Sequence, residues 1–286
     1  MAPSGHFLTE LFGLGGQVAI VTGGMGRLGG RYVVALAEAG ASVAAFDLPG
    51  RRNAAVQQLI ASGRPVSTHD LDVTRRTAVD DAIGDVTRRF STPTILINNA
   101  GLGSSPADLA LETGRFEQYP ERAWDAMIES HLKSALVTSQ SFIAQFRATS
   151  AVPSTLSTHS GSIINVSSTY GVVSPDQSVY EYRRTGGTEY FKPVGYSVAK
   201  SGVLNFTRWL AEYCAPFGVR VNTLVPGGVR EPDHAPEFVV EYEKRTPLGR
   251  MAADTDYDGA ILFLASRASA YMTGATLVVD GGWTAR

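Results

Sequence analysis

A chain of 286 residues with 44% hydrophobic and 18% charged side chains can bury a sizeable core, which excludes a disordered, collagen-like or disulfide-scaffold protein. Its 25 Lys and Arg against 27 Asp and Glu leave a net charge of -2, so there is no overall basic field to hold nucleic acid or an anionic membrane. The single cysteine, Cys214, can form neither an internal disulfide nor a cysteine-rich metal site, and it suits a reducing, cytoplasmic setting.

Met1 to Glu10 lack the basic-then-apolar pattern of a secretory signal, and no apolar run approaches the ~18 residues of a membrane span. Apolar runs predict strands at Val18 to Thr22, Ser42 to Asp47, Pro65 to His69, Thr94 to Asn98, Ser162 to Ser167, Val219 to Leu224 and Thr276 to Val279. Amphipathic stretches between them predict helices over Leu28 to Glu38, Arg52 to Ala61, Thr74 to Phe90, Glu121 to Phe146, Val194 to Tyr213 and Asp254 to Ala265. This alternation predicts an α/β fold: a doubly wound parallel sheet of about seven strands flanked by helices, in one domain over 1–286. Two stretches break the rhythm. One is Tyr170 to Pro193, with Pro175, Gly186, Gly187 and Pro193, and the other is Pro226 to Pro247. Both leave the carboxyl ends of predicted strands, where such sheets bind ligands, so they are expected to be substrate loops.

The first strand runs into Gly23-Gly24-Met25-Gly26-Arg27-Leu28-Gly29 and then a helix. Glycines permit positive φ and a close backbone approach to a pyrophosphate, and the helix N-terminus supplies amides, so this segment predicts a dinucleotide site. Asp47 ends the second strand 18 positions after Gly29, close to where an acidic residue bonds the adenosine ribose. A carboxylate there favours NAD over NADP, whereas Arg27, Arg51 and Arg52 could each pair with a 2′-phosphate. The bland reading of Arg51 and Arg52, a solvated helix start, is preferred, and NAD is the expected cofactor.

Tyr196-Ser-Val-Ala-Lys200 sets a phenol and an ammonium on one helix face, four residues apart. A free tyrosine titrates near 10, too high for efficient acid–base work, and a nearby ammonium stabilises the phenolate.

At this point the chain resembles the short-chain dehydrogenase/reductase superfamily from Gln17 to Gly282. The resemblance rests on the Thr22-Gly23 loop, Asp72-Val73, Asn98-Asn99-Ala100-Gly101, Ser167-Ser168, Tyr196 with Lys200, Asn222 and Pro226-Gly227. It implies a single-domain Rossmann-type fold and hydride transfer between a nicotinamide and an alcohol or carbonyl carbon. It also implies that Tyr196 is the acid–base group, that Lys200 holds the nicotinamide ribose and lowers the Tyr196 pKa, and that Ser168 bonds the substrate oxygen. Ser167 is then a structural neighbour. Asp72 and Val73 would contact adenine, Asn99, Ala100 and Gly101 the cofactor cleft, and Pro226, Gly227 and Val229 the nicotinamide end. Gly23, Gly26, Arg27, Leu28 and Gly29 would surround the pyrophosphate.

Three positions depart from the family's pattern. Arg27 stands where a second loop glycine is usual. His131 stands where a helix asparagine supports a water-linked proton relay to the lysine, so His131 is expected to join the catalytic set with an altered pH dependence. A satisfied core histidine is the simpler reading of His131 by itself. Glu231 stands where a hydroxyl residue often meets the carboxamide.

Ser168 and Tyr196 are 28 positions apart, wider than the family's usual gap. The extra segment carries Asp176, Tyr180, Glu181, Tyr182, Arg183, Arg184, Glu189, Tyr190 and Lys192. Its arginines are suited to clamp a carboxylate or phosphate, against the plainer reading of a solvated loop or subunit contact. The runs Ser167 to Asp176, Lys244 to Met251 and Val279 to Thr284 look like oxidoreductases of flagellin modification and sugar-acid metabolism. A polar, carbohydrate-like substrate (a sugar acid, polyol or nucleotide sugar) is therefore expected. The alternatives are a non-catalytic NAD(H) sensor, or a dehydrogenase for a hydrophobic alcohol or steroid. His6, His69, His131, His159 and His234 show no metal-ligand spacing, so no metal is expected, and no stretch suits nucleic acid or a membrane. Ser168 lacks the signature of a hydrolase nucleophile. By resemblance, the chain forms a homo-oligomer, a dimer or tetramer, through the helices at Glu121 to Phe146 and Val194 to Tyr213, with Leu277 to Arg286 joining a contact.

Overall fold

Val18, Ala19, Ile20, Val21 and Thr22 are all buried, which a strand achieves only when both faces of its sheet are covered. Successive side chains point to opposite faces, so Val18 and Ile20 enter one core while Ala19 and Val21 enter the other. The computed structural model describes residues 5–103, 112–149, 161–185 and 189–285. Gly186, Gly187 and His159 lie outside these, as do Met1 to Ser4 and Arg286.

The strands are β1 (Val18–Thr22), β2 (Ser42–Asp47), β3 (Val66–Asp70), β4 (Ile95–Asn98), β5 (Gly161–Val166), β6 (Val219–Pro226) and β7 (Thr276–Val279). They form one parallel sheet in the order β3-β2-β1-β4-β5-β6-β7. The order reverses direction between β1 and β4, and that switch point opens a crevice beyond the carboxyl ends of the strands. The helices are α1 (Gly5–Phe12), α2 (Arg27–Glu38), α3 (Ala54–Ala61), α4 (Arg76–Arg89), α5 (Glu121–Ile128), α6 (Ser134–Thr149), α7 (Thr169–Val172), α8 (Glu181–Thr185), α9 (Val194–Cys214), α10 (Pro236–Arg245) and α11 (Asp258–Ala265). No helix among the described residues is long and apolar enough to cross a membrane.

One face of the sheet is covered by Tyr32, Val33 and Leu36 of α2 with Ile261 and Leu264 of α11. The other is covered by Val79, Ile83 and Val86 of α4, Phe142 and Phe146 of α6, and Leu210 and Cys214 of α9. A buried polar ladder crosses this second layer. Thr138 Oγ1 donates to Asn98 Oδ1 at 2.6 Å, Asn98 Nδ2 to Asn165 Oδ1 at 2.8 Å, and Asn165 Nδ2 to Thr207 Oγ1 at 2.9 Å. Each group finds a partner, so the ladder fixes how α6 and α9 sit on β4 and β5 without leaving a costly orphan.

Both stretches expected as loops contain helices. The first holds α7, α8 and a short 3₁₀ turn at Gln177–Tyr180, and the second holds α10. A third apolar cluster knits them together: Tyr170, Val179, Tyr180 and Tyr190 from the first pack with Val239 and Tyr242 from the second, and with Trp283. Arg245 adds polar ties to Asp176 Oδ2 at 2.6 Å and Ser178 Oγ at 2.7 Å. The predicted helix Glu121 to Phe146 is continuous but switches to π-helical geometry over Glu129–Lys133. Such turns are often found at functional sites.

Candidate active site

The carboxyl edge of the sheet gathers the predicted residues. At the end of β1 the chain turns through Gly23 with φ of +63°, a left-handed state that favours glycine. A Cβ on Gly29 would lie 2.0 Å from the Gly23 carbonyl oxygen and 2.8 Å from Asn99 Nδ2, so glycine is needed for α2 to start this close to the strand end. Gly26 precedes α2 and brings no side chain to cap its first amides, around Arg27 and Leu28. Asp47, closing β2, accepts from the Met25 N–H at 2.8 Å and the Leu48 N–H at 2.8 Å. Its carboxylate is thereby fixed beside the loop, with lone pairs left for hydroxyl donors. An uncapped helix start, a close-packed glycine turn and a fixed carboxylate suit the pyrophosphate and ribose of a dinucleotide.

Other predicted cofactor residues frame this crevice. Asn99 Nδ2 donates to the carbonyls of Thr22 at 3.1 Å and Gly23 at 3.3 Å, while Thr22 Oγ1 accepts the N–H groups of Asn99 and Ala100 at 3.0 Å each. Asn99 therefore ties the glycine loop to β4. Asp72 Oδ1 accepts from the Thr74 N–H and hydroxyl at 2.9 and 2.8 Å, shaping the turn before α4, and Val73 is buried in the core. Gly227 follows Pro226 and packs where a Cβ would meet the Asp280 backbone at 2.8 Å, and Val229 bridges to Ala252.

Ser168 leaves β5, and its Oγ accepts the Tyr170 N–H at 3.2 Å, capping α7. Tyr196 and Lys200 lie one turn apart on α9, with Lys200 Nζ 5.9 Å from the centre of the Tyr196 ring. Lys200 is buried and donates to the Val166 carbonyl at 2.9 Å. Burial lowers its pKa to about 8. The Tyr196 phenol departs from the expectation of a lowered value: burial raises it, and a hydrogen bond with Ser168 works in the opposite direction. Ser167 donates to the Lys200 carbonyl at 2.7 Å and so anchors α9 to β5, as its expected structural part requires.

His131 stands on the π-helical turn, buried, with its ring edge-on to Tyr196 at 5.4 Å between centres. Neither ring nitrogen has a hydrogen-bond partner among the described residues. Burial first, and then the Lys200 charge, lower its pKa to about 2, with the Leu102 backbone pulling weakly the other way. A neutral imidazole results. It cannot titrate in the working range, so the expected pH effect cannot come from its own charge change.

The family model described as Enoyl-(Acyl carrier protein) reductase matches residues 27–284. The chain is 30% identical over 274 residues to 3-oxoacyl-(acyl-carrier-protein) reductase of Thermotoga maritima, covering 94% of this chain and 98% of that one. It is also 30% identical to the 2-dehydro-3-deoxy-D-gluconate 5-dehydrogenase of Escherichia coli K12, over 98% of this chain and 100% of that one. Among solved structures, gluconate 5-dehydrogenase from Burkholderia cenocepacia, in complex with NADP and tartrate, superposes with a TM-score of 0.80 at 25% identity, over 97% of this chain and 99% of that one. A short-chain dehydrogenase from Leptospira borgpetersenii with bound NAD+ superposes at 0.79 and 27% identity, over 97% and 95%. The chain belongs to the short-chain dehydrogenase/reductase superfamily.

In this short-chain dehydrogenase/reductase two of the three unusual positions meet. Arg27 Nε reaches Asp254 Oδ1 at 2.6 Å, its Nη1 lies 3.5 Å from Glu231 Oε1, and its Nη2 donates to the Arg230 carbonyl. Arg27 is the first residue of α2, a backbone position any residue can take, so no glycine is demanded there. The insertion's arginines are engaged within the insertion itself. Arg184 is bonded to the carbonyls of Gln177 and Tyr190, and Arg183 lies over the Tyr190 ring at 4.7 Å. These guanidiniums hold the insertion together. Sequence reasoning missed Tyr242, whose hydroxyl accepts the Gly228 N–H at 2.7 Å and so shapes the second loop, because no local pattern links the two residues.

Proposed function

We propose that this short-chain dehydrogenase/reductase is an NAD-dependent oxidoreductase acting between a secondary alcohol and a ketone of a polar, carbohydrate-like substrate. One domain carries both the cofactor site and the substrate loops. The observation that carries the reading is the convergence of Ser168, Tyr196 and Lys200 at the carboxyl end of β5, two strands along the sheet from the glycine loop that follows β1. A bound nicotinamide would supply the hydride acceptor or donor. The Tyr196 phenol exchanges the proton with the substrate oxygen, and the Ser168 hydroxyl steadies that oxygen by a hydrogen bond. Lys200, held by the Val166 carbonyl, keeps a positive charge near the phenol and favours its ionised form. His131 stays neutral and relays through ordered water rather than by titrating.

The preference for NAD rests on Asp47, whose fixed carboxylate repels a 2′-phosphate, while Arg51 and Arg52 are exposed. A sugar acid or polyol is favoured by the 2-dehydro-3-deoxy-D-gluconate 5-dehydrogenase and gluconate 5-dehydrogenase relatives. The exposed Trp209 and Tyr213 on α9 and Trp124 on α5 support a homo-oligomer paired through these helices, which sedimentation at working concentration tests. A bare cofactor sensor has no need of the Ser168–Tyr196–Lys200 grouping.

The decisive experiment follows nicotinamide absorbance with NAD or NADP across polyols, aldonic acids, nucleotide sugars and steroids, for wild type and Tyr196→Phe. Turnover of a sugar-like alcohol with NAD, abolished in Tyr196→Phe while NADH still binds, is the expected result. Turnover confined to steroids or hydrophobic alcohols, or turnover that survives in Tyr196→Phe, overturns the reading.

A further inference from the structure

One peptide of the second loop is held from both ends. The Gly227 carbonyl accepts the Tyr257 hydroxyl at 2.9 Å, and the Gly228 N–H donates to the Tyr242 hydroxyl at 2.7 Å. These two groups belong to a single trans peptide, in which they point in opposite directions, so the phenols grip one plane from opposite sides. Two successive glycines leave a peptide unusually free to turn over, and here that freedom is removed.

Neither phenol is placed to follow such a turn. Tyr257 is fully buried at the end of the 3₁₀ turn that leads into α11. Tyr242 is buried on α10, its ring stacked on Trp283 at 4.2 Å between centres and 18° between planes. A Cβ on Gly228 would lie 2.7 Å from the Tyr242 hydroxyl oxygen, so glycine is what lets this phenol come so close. Burial raises both phenol pKa values, that of Tyr242 to about 12, so both stay protonated at neutral pH.

The grip sits between the two halves of the site. Tyr242 shares an apolar cluster with the Tyr196 ring, while three residues beyond Gly228 the chain has reached the glycine turn. There the Arg230 carbonyl accepts from Arg27, and Glu231 Oε1 lies 3.5 Å from Arg27 Nη1. The Gly227–Gly228 peptide thus lies along the stretch from the glycine turn to the catalytic phenol. A dinucleotide held by its pyrophosphate at that turn has to pass along this stretch for its nicotinamide to reach a carbon whose oxygen bonds Tyr196.

We propose that Tyr242 and Tyr257 are positioning residues for hydride transfer, locking the Gly227–Gly228 peptide in one orientation and so giving the nicotinamide a fixed wall. This rests on the dehydrogenase reading above and adds to it the device that orients the ring.

The test compares the full chain with Tyr242→Phe and Tyr257→Phe, each of which keeps its ring and loses one hydroxyl. Thermal melts establish that each variant is folded, and either variant suffices on its own. ADP-ribose, which lacks the nicotinamide, and NADH are titrated calorimetrically, and time-resolved fluorescence anisotropy follows the nicotinamide of bound NADH. In each variant ADP-ribose keeps its affinity within about twofold, while the bound nicotinamide gains a fast depolarising component that the wild type lacks. With the panel alcohol that the wild type turns over fastest, kcat falls about tenfold to a hundredfold and KM stays within about threefold, as expected when a reacting group is misplaced rather than lost. A wild-type anisotropy decay in a folded variant overturns the proposal. So does an unchanged kcat, or an equal weakening of ADP-ribose and NADH, which assigns the phenols to the general fold of the site. In those cases turnover abolished by Tyr196→Phe leaves the dehydrogenase reading standing. Turnover that survives in Tyr196→Phe removes that reading instead, and the part of the phenols in hydride transfer with it.

Discussion

Gly101 and His131 are packed so closely that the pair makes a quantitative prediction. A Cβ on Gly101 would lie 2.1 Å from both Cε1 and Nδ1 of His131, and 3.1 Å from Nε2. The ring cannot simply swing away, because it is buried and meets Tyr196 edge-on at 5.4 Å. Gly101→Ala must therefore displace the ring or the π-helical turn beneath it, an overpacking cost of about 1–3 kcal/mol. At roughly 2–4 °C per kcal/mol for a chain of this size, Tm falls by about 2–12 °C. Turnover should fall with it, since the displaced ring presses on Tyr196. Removing the ring in Gly101→Ala/His131→Ala relieves the clash, so the double variant should be less destabilised than the sum of the single changes by about 1–3 kcal/mol. The assay is thermal unfolding by circular dichroism at one fixed protein concentration, with all four proteins of the cycle. A Gly101→Ala protein that melts with the wild type, or two effects that simply add, refutes the argument.

Two further predictions concern charge. The folded pKa of His131, about 2, lies below the ~6.5 of an unfolded histidine, so between these values only the unfolded chain takes up the proton. The contribution is complete above pH ~6.5 and is lost as pH falls, by about 2 kcal/mol at pH 5, so the Tm drop from pH 7.5 to pH 5 should be smaller in His131→Asn; equal drops would remove the argument. Arg27→Gly breaks partly exposed ion pairs to Glu231 and Asp254, so it should cost no more than about 1–2 kcal/mol in stability, read as a small shift in a urea midpoint. It should also weaken the salt dependence of NADH binding, followed by fluorescence titration, and an unchanged salt dependence would show that the guanidinium does not reach the dinucleotide.

The sheet was legible because a strand covered on both faces is a continuous apolar run. β1, β2 and β7 coincide with their predicted bounds, and β6 runs two residues further, to Pro226. The second loop hid α10 because prolines bracket it, yet Pro236 at the helix start and the run from Glu237 to Arg245 are the signature of a short helix. The π-helical turn left no trace, since nothing in Glu129-Ser-His-Leu-Lys133 departs from ordinary helix composition. Ser168, Tyr196 and Lys200 were readable from spacing and resemblance. The insertion's cations were readable as a group but not individually. Whether Arg184 or Lys192 faces Tyr196 depends on tertiary folding, which turned the arginine onto backbone carbonyls and the lysine toward the ring.

The contact between Arg27 and Glu231 has a consequence for any exchange of parts with relatives. These side chains are 204 positions apart and belong to the glycine turn and the second loop, yet each is the other's surroundings. Replacing Glu231 by a hydroxyl residue leaves the Arg27 guanidinium facing Asp254 and a carbonyl with one carboxylate fewer, and replacing Arg27 by glycine leaves Glu231 and Asp254 as uncompensated neighbours. The two positions are therefore coupled as units of inheritance. A second loop grafted from a relative should be slightly more stable here when residue 27 is exchanged along with it.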